Sequence, residues 1–476
     1  MSLSELLSSL ADTTGKLLLP DSEDYKIING SYFTAFGNEI KPSYIAKPTN
    51  VEDFSKLIKI LRPLLIRGDC QIAVRGGGHT PYGSSANIEG GVTVDTRGLK
   101  GITLSEDKSI VEIAAGETWT TVYKELEKHG LSTAGGRVGR VGVTGFVLGG
   151  GLSLYSTSRG FACDSVVDFE VVLASGEVVH ANARENSDLW IALKGGLNNF
   201  GIVTSFKMKT FESGNIWGGA TYYMPGTYSQ VIEAACDLVS TETDEYTHVM
   251  CSVGYGYGHQ IVICLMYHTK GQENPPSLQR FTSIQPQVEQ MNSMKVGSHL
   301  DFCDELSAFT SDGSRQFYAS CTIRPDVALM TAFEVEWQKT LATLKDAEGF
   351  TFAFGFQPLA KSLLEHSALE GGNSTGLTPS DGPLFVVLLN PVWASAADDE
   401  RMTSGVTKLL AEFRRLASEK DLLHPYIFTN YAYKTDDVFK GYGEESVAKL
   451  KEASTKWDPE GIFQKGVPGG WKVGNL

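Results

Sequence analysis

Glycine is the residue that most constrains how this chain can fold. The 476-residue sequence contains 51 glycines, and they are concentrated between residues 76 and 201. A glycine inside a regular helix or strand costs about 0.5–1 kcal/mol relative to alanine. Such a concentration therefore predicts backbone that turns sharply or passes very close to another surface, at some cost to regular structure.

The first glycine cluster is Arg75-Gly-Gly-Gly-His79, which follows a short strand-like run. A helical pattern over residues 51–66 precedes that run, so the order is helix, strand, glycine loop. Residues without a Cβ atom allow backbone N–H groups to form a concave nest that accepts phosphate oxygens. We interpret this cluster as a pyrophosphate site, with an ordinary glycine-rich turn as the alternative.

The second cluster runs from Gly135 to Gly151, with glycines at spacings that neither a helix nor a strand favours. We interpret it as backbone that passes beside a large flat cofactor, and a succession of tight turns is the alternative. Neither cluster is the G-x-G-x-x-G fingerprint followed about 20 residues later by an acidic side chain. A nicotinamide-binding Rossmann domain is therefore disfavoured.

The chain is long enough for two or three domains. Strand-like runs and glycine loops predict an α+β domain over residues 1–211. Helical patterns between alternating strand-like runs predict a second domain over 212–424, with helices on an antiparallel sheet. The tail, 425–476, is too short to fold alone, and we expect it to pack back on the first domain.

Charge and hydropathy exclude several classes of partner. The formal net charge is −15 and the basic residues are scattered, so neither nucleic acid nor a membrane surface is an expected partner. No stretch approaches the roughly 20 apolar residues of a membrane span, and the first residues lack a basic signal region. We expect a cytoplasmic protein, although the sequons at Asn29 and Asn373 leave secretion open. No metal site is predicted, and the sequence does not indicate an oligomeric state.

Three segments of the first domain resemble a known family when taken together. Residues 75–99, 139–178 and 186–204 resemble, in order and spacing, the FAD-binding domain of the vanillyl-alcohol-oxidase superfamily. The tail motifs YIFTNYAY (426–433) and WDPEGIFQ (457–464) are similar to the C-terminal segment of its berberine-bridge-enzyme-like (BBE-like) branch. GGNSTGL (371–377) is similar to fungal members. The resemblance implies an α+β fold, with a two-part PCMH-type FAD-binding domain and a substrate domain whose antiparallel sheet is covered by helices.

The resemblance also implies a set of FAD-binding residues. His79 would bond covalently through a ring nitrogen to the flavin 8α-methyl group, for which the imidazole must be neutral. Val138 stands where doubly tethered members carry a cysteine, so a single attachment is implied. The other implied cofactor contacts are Arg75, Gly76, Gly77, Gly78, Val141, Gly142, Gly145, Gly149, Gly150, Asp164, Gly201, Val203 and Asn430.

The implied activity is hydride transfer from a small secondary metabolite to flavin N5, with dioxygen as the final acceptor and hydrogen peroxide as a product. Tyr431 lies where several relatives place a catalytic tyrosine, and Tyr433 is the neighbouring candidate. Lys434 is a candidate cation beside the base, and a glutamate base from residues 212–424 stays open. The alternatives are a carbohydrate oxidase, a non-redox isomerase or cyclase that uses FAD as a scaffold, and a flavin-loaded binding protein without turnover.

Overall fold

The computed structural model describes residues 16–241 and 243–475. The first fifteen residues, on which the expectation of no signal sequence depends, lie outside this range. In the described part, no helix combines the length and apolar character needed to cross a bilayer.

The first sheet carries the first glycine cluster at the end of one strand. Its strands, in spatial order, are Lys16–Leu18, Tyr44–Lys47, Val92–Asp95 and Ile72–Arg75. The last three run parallel, and the crossover between Tyr44–Lys47 and Ile72–Arg75 is the helix Val51–Arg67. Asn50 caps that helix by accepting a hydrogen bond from the Asp53 amide at 2.9 Å, and Gly68 ends it with φ +74°. Short helices precede and border the sheet at Glu23–Asn29 and Ala35–Glu39.

The second sheet is antiparallel and packs on the second glycine cluster. Its strands, in spatial order, are Ile102–Leu104, Ile110–Ala114, Ile202–Lys209, Val166–Val172 and Val178–Asn182. The helices that accompany it are Trp119–Glu127, Val143–Leu148, Ser156–Arg159 and Ser187–Leu193. Trp119, Phe169 and Phe206 are buried in its core. Leu131–Ser132 pairs separately with Phe211–Glu212.

A large antiparallel sheet occupies most of the chain from 216 to 424. Its strands, in spatial order, are Lys295–Gly297, Ile216–Tyr223, His259–His268, Thr247–Gly256, Thr351–Leu359, Leu384–Trp393, Ala319–Ile323 and Leu423–His424, with Arg315–Gln316 also paired to Leu384–Trp393. The helices of this region are Tyr228–Thr241, Pro276–Thr282, His299–Ala308, Val327–Leu344, Lys361–Leu369 and Asp399–Glu419. Phe333 and Phe413 stack with ring centroids 4.0 Å apart, so two of these helices share one apolar core with the sheet.

The residues after 425 lie against the first two sheets. The helix Gly443–Trp457 packs on Ser187–Leu193, and the turn of π-helix Ile462–Gly466 packs on Val51–Arg67. Asp458 accepts hydrogen bonds from the Ile462 and Phe463 amides at 2.9 and 2.6 Å, which fixes that turn. The tail is thereby held by apolar contacts with strands and helices far from it in sequence.

The predicted α+β class is confirmed. The helix predicted at 51–66 is observed as Val51–Arg67, because its apolar residues lie on one face. The domain boundaries at 211 and 424 stay a prediction.

Both sequon asparagines are engaged inside the fold. Asn29 is 2% exposed, and its amide donates to the carbonyls of Asn38 and Ile40 at 3.1 and 3.0 Å. Asn373 donates to Asp164 Oδ1 at 2.9 Å. In the described fold, both side-chain amides therefore donate hydrogen bonds to other residues.

Candidate active site

A deep cavity opens where the three sheets approach one another. It contains about 1550 Å³ of empty space, counting the solvent at its mouth. Both glycine clusters, the connection around Tyr318 and the tail contribute to its wall. Of the sixteen site residues predicted from the sequence, the structure brings these to the cavity: Gly76, Gly77, Gly78, His79, Val141, Gly142, Gly145, Gly201, Val203, Asn430 and Tyr431.

The two glycine loops pack against each other through atoms that leave no room for a side chain. A Cβ atom on Gly77 would lie 2.5 Å from the Gly142 nitrogen, and one on Gly142 would lie 2.4 Å from the Gly77 nitrogen. By contrast, a Cβ atom on Gly76 or Gly145 would meet no atom within 4 Å. The loops are therefore tightly packed on one side and open toward the cavity on the other.

Five predicted site residues lie off the cavity wall: Arg75, Gly149, Gly150, Asp164 and Tyr433. The Arg75 guanidinium points behind the glycine loop, where it donates to the carbonyls of Ile28 and Ser31, both at 2.6 Å. Burial lowers its pKa to about 10. The geometry gives the Arg75 side chain a structural role, supporting the loop from behind.

Asp164 also holds structure together. It accepts hydrogen bonds from the Phe161 amide at 2.8 Å and from Asn373 at 2.9 Å. Burial raises its pKa, and the neighbouring Lys194 charge opposes that rise. Because Asn373 comes from the GGNSTGL segment, Asp164 links the second sheet to the region of the large sheet.

Gly149 leaves room for the side chain of Asn430, a residue of the C-terminal tail. A Cβ atom there would lie 2.8 Å from the amide nitrogen of Asn430. Asn430 accepts a hydrogen bond from the Gly151 amide at 3.2 Å and donates to the Phe146 carbonyl at 3.1 Å. These bonds fix the turn Thr429–Tyr431 against the second glycine loop, so that Tyr431 reaches the cavity.

His79 is held as a neutral imidazole. Its ring stacks on Phe33 with centroids 4.0 Å apart and an interplanar angle of 22°. Its Nε2 atom is shielded from solvent and has no hydrogen-bond partner. Burial lowers its pKa to about 4, and the positive charge of Arg140 acts in the same direction. A neutral ring nitrogen is the form that can act as a nucleophile near pH 7.

Tyr431 shares a hydrogen-bonded cluster with two residues that the sequence did not indicate. Arg137 Nη2 and Gln357 Nε2 each donate to the Tyr431 hydroxyl at 2.8 Å. Arg137 Nη2 also donates to Gln357 Oε1 at 2.6 Å. The Tyr431 oxygen therefore accepts two hydrogen bonds at the cavity wall, one of them from a cation, and its own hydroxyl donates to Gln357 Oε1 at 3.1 Å.

The structure places the predicted cation and the second candidate base elsewhere. The Lys434 ammonium lies 5.6 Å from the centroid of the Tyr433 ring. Tyr433 packs against Phe317 with centroids 4.9 Å apart, and burial raises its pKa. The cation that contacts the Tyr431 hydroxyl is thus Arg137, whereas Lys434 was the candidate named from the sequence. The place of Arg137 within the second glycine cluster was the sequence signal that could have identified it.

A line of aromatic rings connects His79 to Tyr431. Phe33, stacked on His79, lies 5.9 Å from Tyr318, and Tyr318 lies 5.6 Å from Tyr431 in an edge-on arrangement. Tyr318 and Gln357 carry no local sequence signal, because their roles depend on which strands of the large sheet face the cavity. Among the described residues that line the cavity there is no aspartate or glutamate, so the glutamate alternative finds no candidate on this wall.

The residues present fit FAD. Gly76 and Gly145 leave open space along the cavity wall, as a large cofactor requires. Two buried nitrogens on the wall, His79 Nε2 and Trp471 Nε1, have no protein partner. Unpaired buried polar atoms are costly unless a ligand or water satisfies them.

Comparisons with known proteins agree with this site. An FAD binding domain model matches residues 42–182. The "FAD-dependent monooxygenase tpcD" of Cochliobolus heterostrophus is 34% identical, over 94% of this chain and 90% of its own length. Two solved structures share the fold. The BBE-like 1 protein of Physcomitrella patens has TM-score 0.79 and 18% identity, covering 97% of this chain and 98% of its own. Glucooligosaccharide oxidase from Acremonium strictum has TM-score 0.80 and 19% identity, covering 98% and 100%, and is described as carrying a 6-S-cysteinyl, 8α-N1-histidyl FAD.

Proposed function

The chain belongs to the BBE-like flavoproteins of the vanillyl-alcohol-oxidase superfamily, and on that premise we propose that it is an FAD-dependent oxidase of a small secondary metabolite. FAD, when bound, supplies the hydride acceptor at N5 and passes both electrons to dioxygen, which yields hydrogen peroxide. The observation that carries the proposal is the Tyr431 hydroxyl, held by two donors on the wall of the same cavity that the glycine loops line.

Tyr431 is the proposed acid–base residue. As a hydride leaves the substrate carbon, the proton of the adjacent substrate hydroxyl or ring passes to the Tyr431 oxygen. That oxygen must first be free of its own proton. Arg137 and Gln357 donate to it and so stabilise negative charge there. The alternative base Tyr433 packs in the apolar core and does not line the cavity.

His79 is the proposed single point of covalent attachment. The bond would join a ring nitrogen to the flavin 8α carbon in place of one C–H bond; one proton from that carbon, one from the imidazole and two electrons would be released, and dioxygen would take them up as hydrogen peroxide. The His79 ring is neutral and is held in place by stacking on Phe33, and both features support this role. The histidyl linkage described for the Acremonium strictum enzyme is a precedent on the same fold.

A second tether is excluded from the proposal because Val138 lies where doubly tethered relatives carry a cysteine. This residue lines the cavity, and among the described lining residues there is no cysteine. Cys303 approaches the same loop from behind, where its thiol donates to the carbonyls of Gly136 and Arg137 at 3.2 and 3.1 Å. Its hydrogen bonds and burial hold it away from the cofactor space.

The decisive experiment is anaerobic mixing of the holoenzyme with polyketide, alkaloid, terpenoid and oligosaccharide compounds. A substrate of the proposed reaction bleaches the flavin, and admitting oxygen restores the colour with one hydrogen peroxide per product. Turnover without bleaching would instead support the non-redox alternative. Incorporation of ¹⁸O from labelled dioxygen into the product would replace the oxidase proposal with a monooxygenase reaction, the activity named for the Cochliobolus heterostrophus relative.

A further inference from the structure

We propose that residues 469–473, the clasp, complete the FAD site at the C-terminal end of the chain, and that the indole N–H of Trp471 donates a hydrogen bond to the bound cofactor. The inference rests on FAD binding by the family and goes beyond the oxidase reaction proposed above. The observation behind it is a buried donor without a partner, carried on the cavity wall by a segment that is held between two sheets.

The clasp joins two walls of the cavity. On one side it meets Ser85, which lies between two strands of the first sheet, and a Cβ atom on Gly469 would lie 2.4 Å from the Ser85 carbonyl oxygen. On the other side it meets Asn198, which precedes the strand Ile202–Lys209 of the second sheet. Asn198 Nδ2 donates to the Gly469 carbonyl at 3.1 Å. Because Ser85 and Asn198 both line the cavity, the clasp closes the space between them.

Asn199 and Asn198 fix the backbone of the clasp. The side chain of Asn199 is fully buried. Its Nδ2 atom donates to the Trp471 carbonyl at 3.0 Å, and its Oδ1 atom accepts from the Val473 amide at 3.2 Å. Lys472 Nζ donates to Asn198 Oδ1 at 3.1 Å. Three successive residues of the clasp are thus tied to one turn of the second sheet, and the middle of the clasp is held on the cavity wall.

The Trp471 ring is the part of the clasp that meets the cofactor space. It lines the cavity and contacts the Tyr82 ring edge-on, with centroids 5.4 Å apart. Its Nε1 atom is shielded from solvent and has no hydrogen-bond partner among the described residues. An indole nitrogen can only donate, and a buried donor left unpaired is unfavourable. FAD carries acceptors in its ring carbonyls, hydroxyls and phosphates, so a bound cofactor can supply the missing partner.

FAD and the clasp are therefore expected to stabilise each other. A cofactor that lies between the two walls contacts both of them and pairs the Trp471 donor. Without the cofactor, the donor is unpaired and the clasp spans an empty cavity. A ligand that binds the docked form alone shifts the equilibrium toward that form. The clasp should consequently dock more firmly over FAD than over the flavin-free cavity.

The first test measures how fast FAD leaves the cavity. It uses full-length His79→Ala, in which the proposed covalent bond cannot block release, and follows the recovery of flavin fluorescence after dilution. In that background, Trp471→Phe keeps an aromatic ring and removes the N–H, so it should speed release about 3- to 10-fold, the range of a neutral hydrogen bond. Trp471→Ala also removes the ring contact and should speed release about 10- to 100-fold.

Trp457→Phe is the matched control. It removes an indole N–H from the same tail, but that donor already bonds to Asp188 Oδ2 at 3.0 Å, and Trp457 is not among the residues of the cavity wall. FAD release in this control should match that of the His79→Ala parent.

Thermal unfolding separates cofactor binding from a role in protein stability alone. Because the Trp471 N–H has no protein partner, Trp471→Phe should leave the melting temperature of the flavin-free protein unchanged. The same substitution should lower the melting temperature of the FAD-loaded protein, since only that form loses a hydrogen bond.

The second test needs no substitution. Lys472 is a trypsin site that is 6% exposed, so trypsin can reach it only when the clasp leaves the cavity wall. Wild type loaded with FAD should be cut after Lys472 about tenfold more slowly than flavin-free wild type from riboflavin-starved cells. Lys434, exposed in the same tail, is the reference site, and mass spectrometry of the peptides gives both rates.

Three results would overturn the inference: release of FAD from the Trp471→Phe variant at the parent rate, an equal loss of thermal stability with and without FAD, or equal cutting after Lys472 in the two forms. If Trp471→Ala fails to fold, Trp471→Phe and the proteolysis of wild type decide. Failure of the proposed function has a different signature. In that case no compound bleaches the flavin anaerobically, while FAD release and the protection of Lys472 are unaffected.

Discussion

The two walls of the cavity are built in opposite ways. The cofactor wall is made of backbone, with Gly77 and Gly142 packed so closely that neither tolerates a Cβ atom. The substrate wall is made of side chains, with Arg137, Gln357 and Tyr431 joined by hydrogen bonds across segments 220 and 294 residues apart. The first wall offers a backbone surface against which FAD can lie. In the proposed reaction, the second wall supplies a positive charge from Arg137 and the acid–base group Tyr431.

The largest expected effect comes from filling the cofactor wall. Gly142→Ala places a methyl group 2.4 Å from backbone, so it should lower the free energy of unfolding by about 1–3 kcal/mol and abolish FAD incorporation. Gly145→Ala meets no protein atom and should keep or raise stability while weakening FAD binding. Urea unfolding and the FAD-to-protein ratio measure the two effects. Equal stability losses in both variants would contradict the close packing of Gly142 against Gly77.

On the substrate wall, Tyr431→Phe should slow flavin reduction about 10²–10⁴-fold, since a positioned acid–base group is lost. The FAD content should not change, because Asn430 still fixes the turn. Stopped-flow reduction under anaerobic conditions gives the rate. Tyr433→Phe is the control and should stay within a few-fold of wild type, and the opposite ranking would transfer the acid–base role to Tyr433.

A smaller effect is expected where the walls meet, at His79. Wild-type flavin should stay on the polypeptide after acid precipitation and fluoresce on a denaturing gel, on one peptide that contains His79. His79→Ala should release it on denaturation yet retain FAD in the native state, because the glycine loops are unchanged. Peptide mass mapping of the wild type checks the number of tethers, and a flavin-linked cysteine peptide would refute the single attachment.

The smallest effect concerns pH. Burial lowers the pKa of His79 to about 4, so its neutral form persists as the pH falls. When FAD is added to flavin-depleted protein, the rate at which acid-stable flavin appears should change less than about threefold between pH 8 and 5.5. A histidine of ordinary pKa, about 6.5, would lose about tenfold over that range. A tenfold fall would show that His79 titrates normally.

The sequence by itself determined the cofactor wall and much of the secondary structure. A tight turn or a close backbone approach requires glycine at consecutive positions, so the requirement is visible in the local sequence. The same holds for the helix Val51–Arg67, whose cap, apolar face and terminating glycine are all local. Strand-like runs and helical patterns predicted the α+β class, and the structure brings both glycine clusters to one cavity.

Only the tertiary structure determines which side chains meet on the substrate wall. Arg137 was visible as a charge within the second cluster, but its partners lie on strands that reach it through the register of the large sheet. The same limit explains why Arg75 and Asp164, although adjacent to predicted cofactor motifs, turn their side chains into structural contacts. Consecutive residues encode what the backbone must do, whereas the direction and partners of a side chain depend on elements that are distant in sequence.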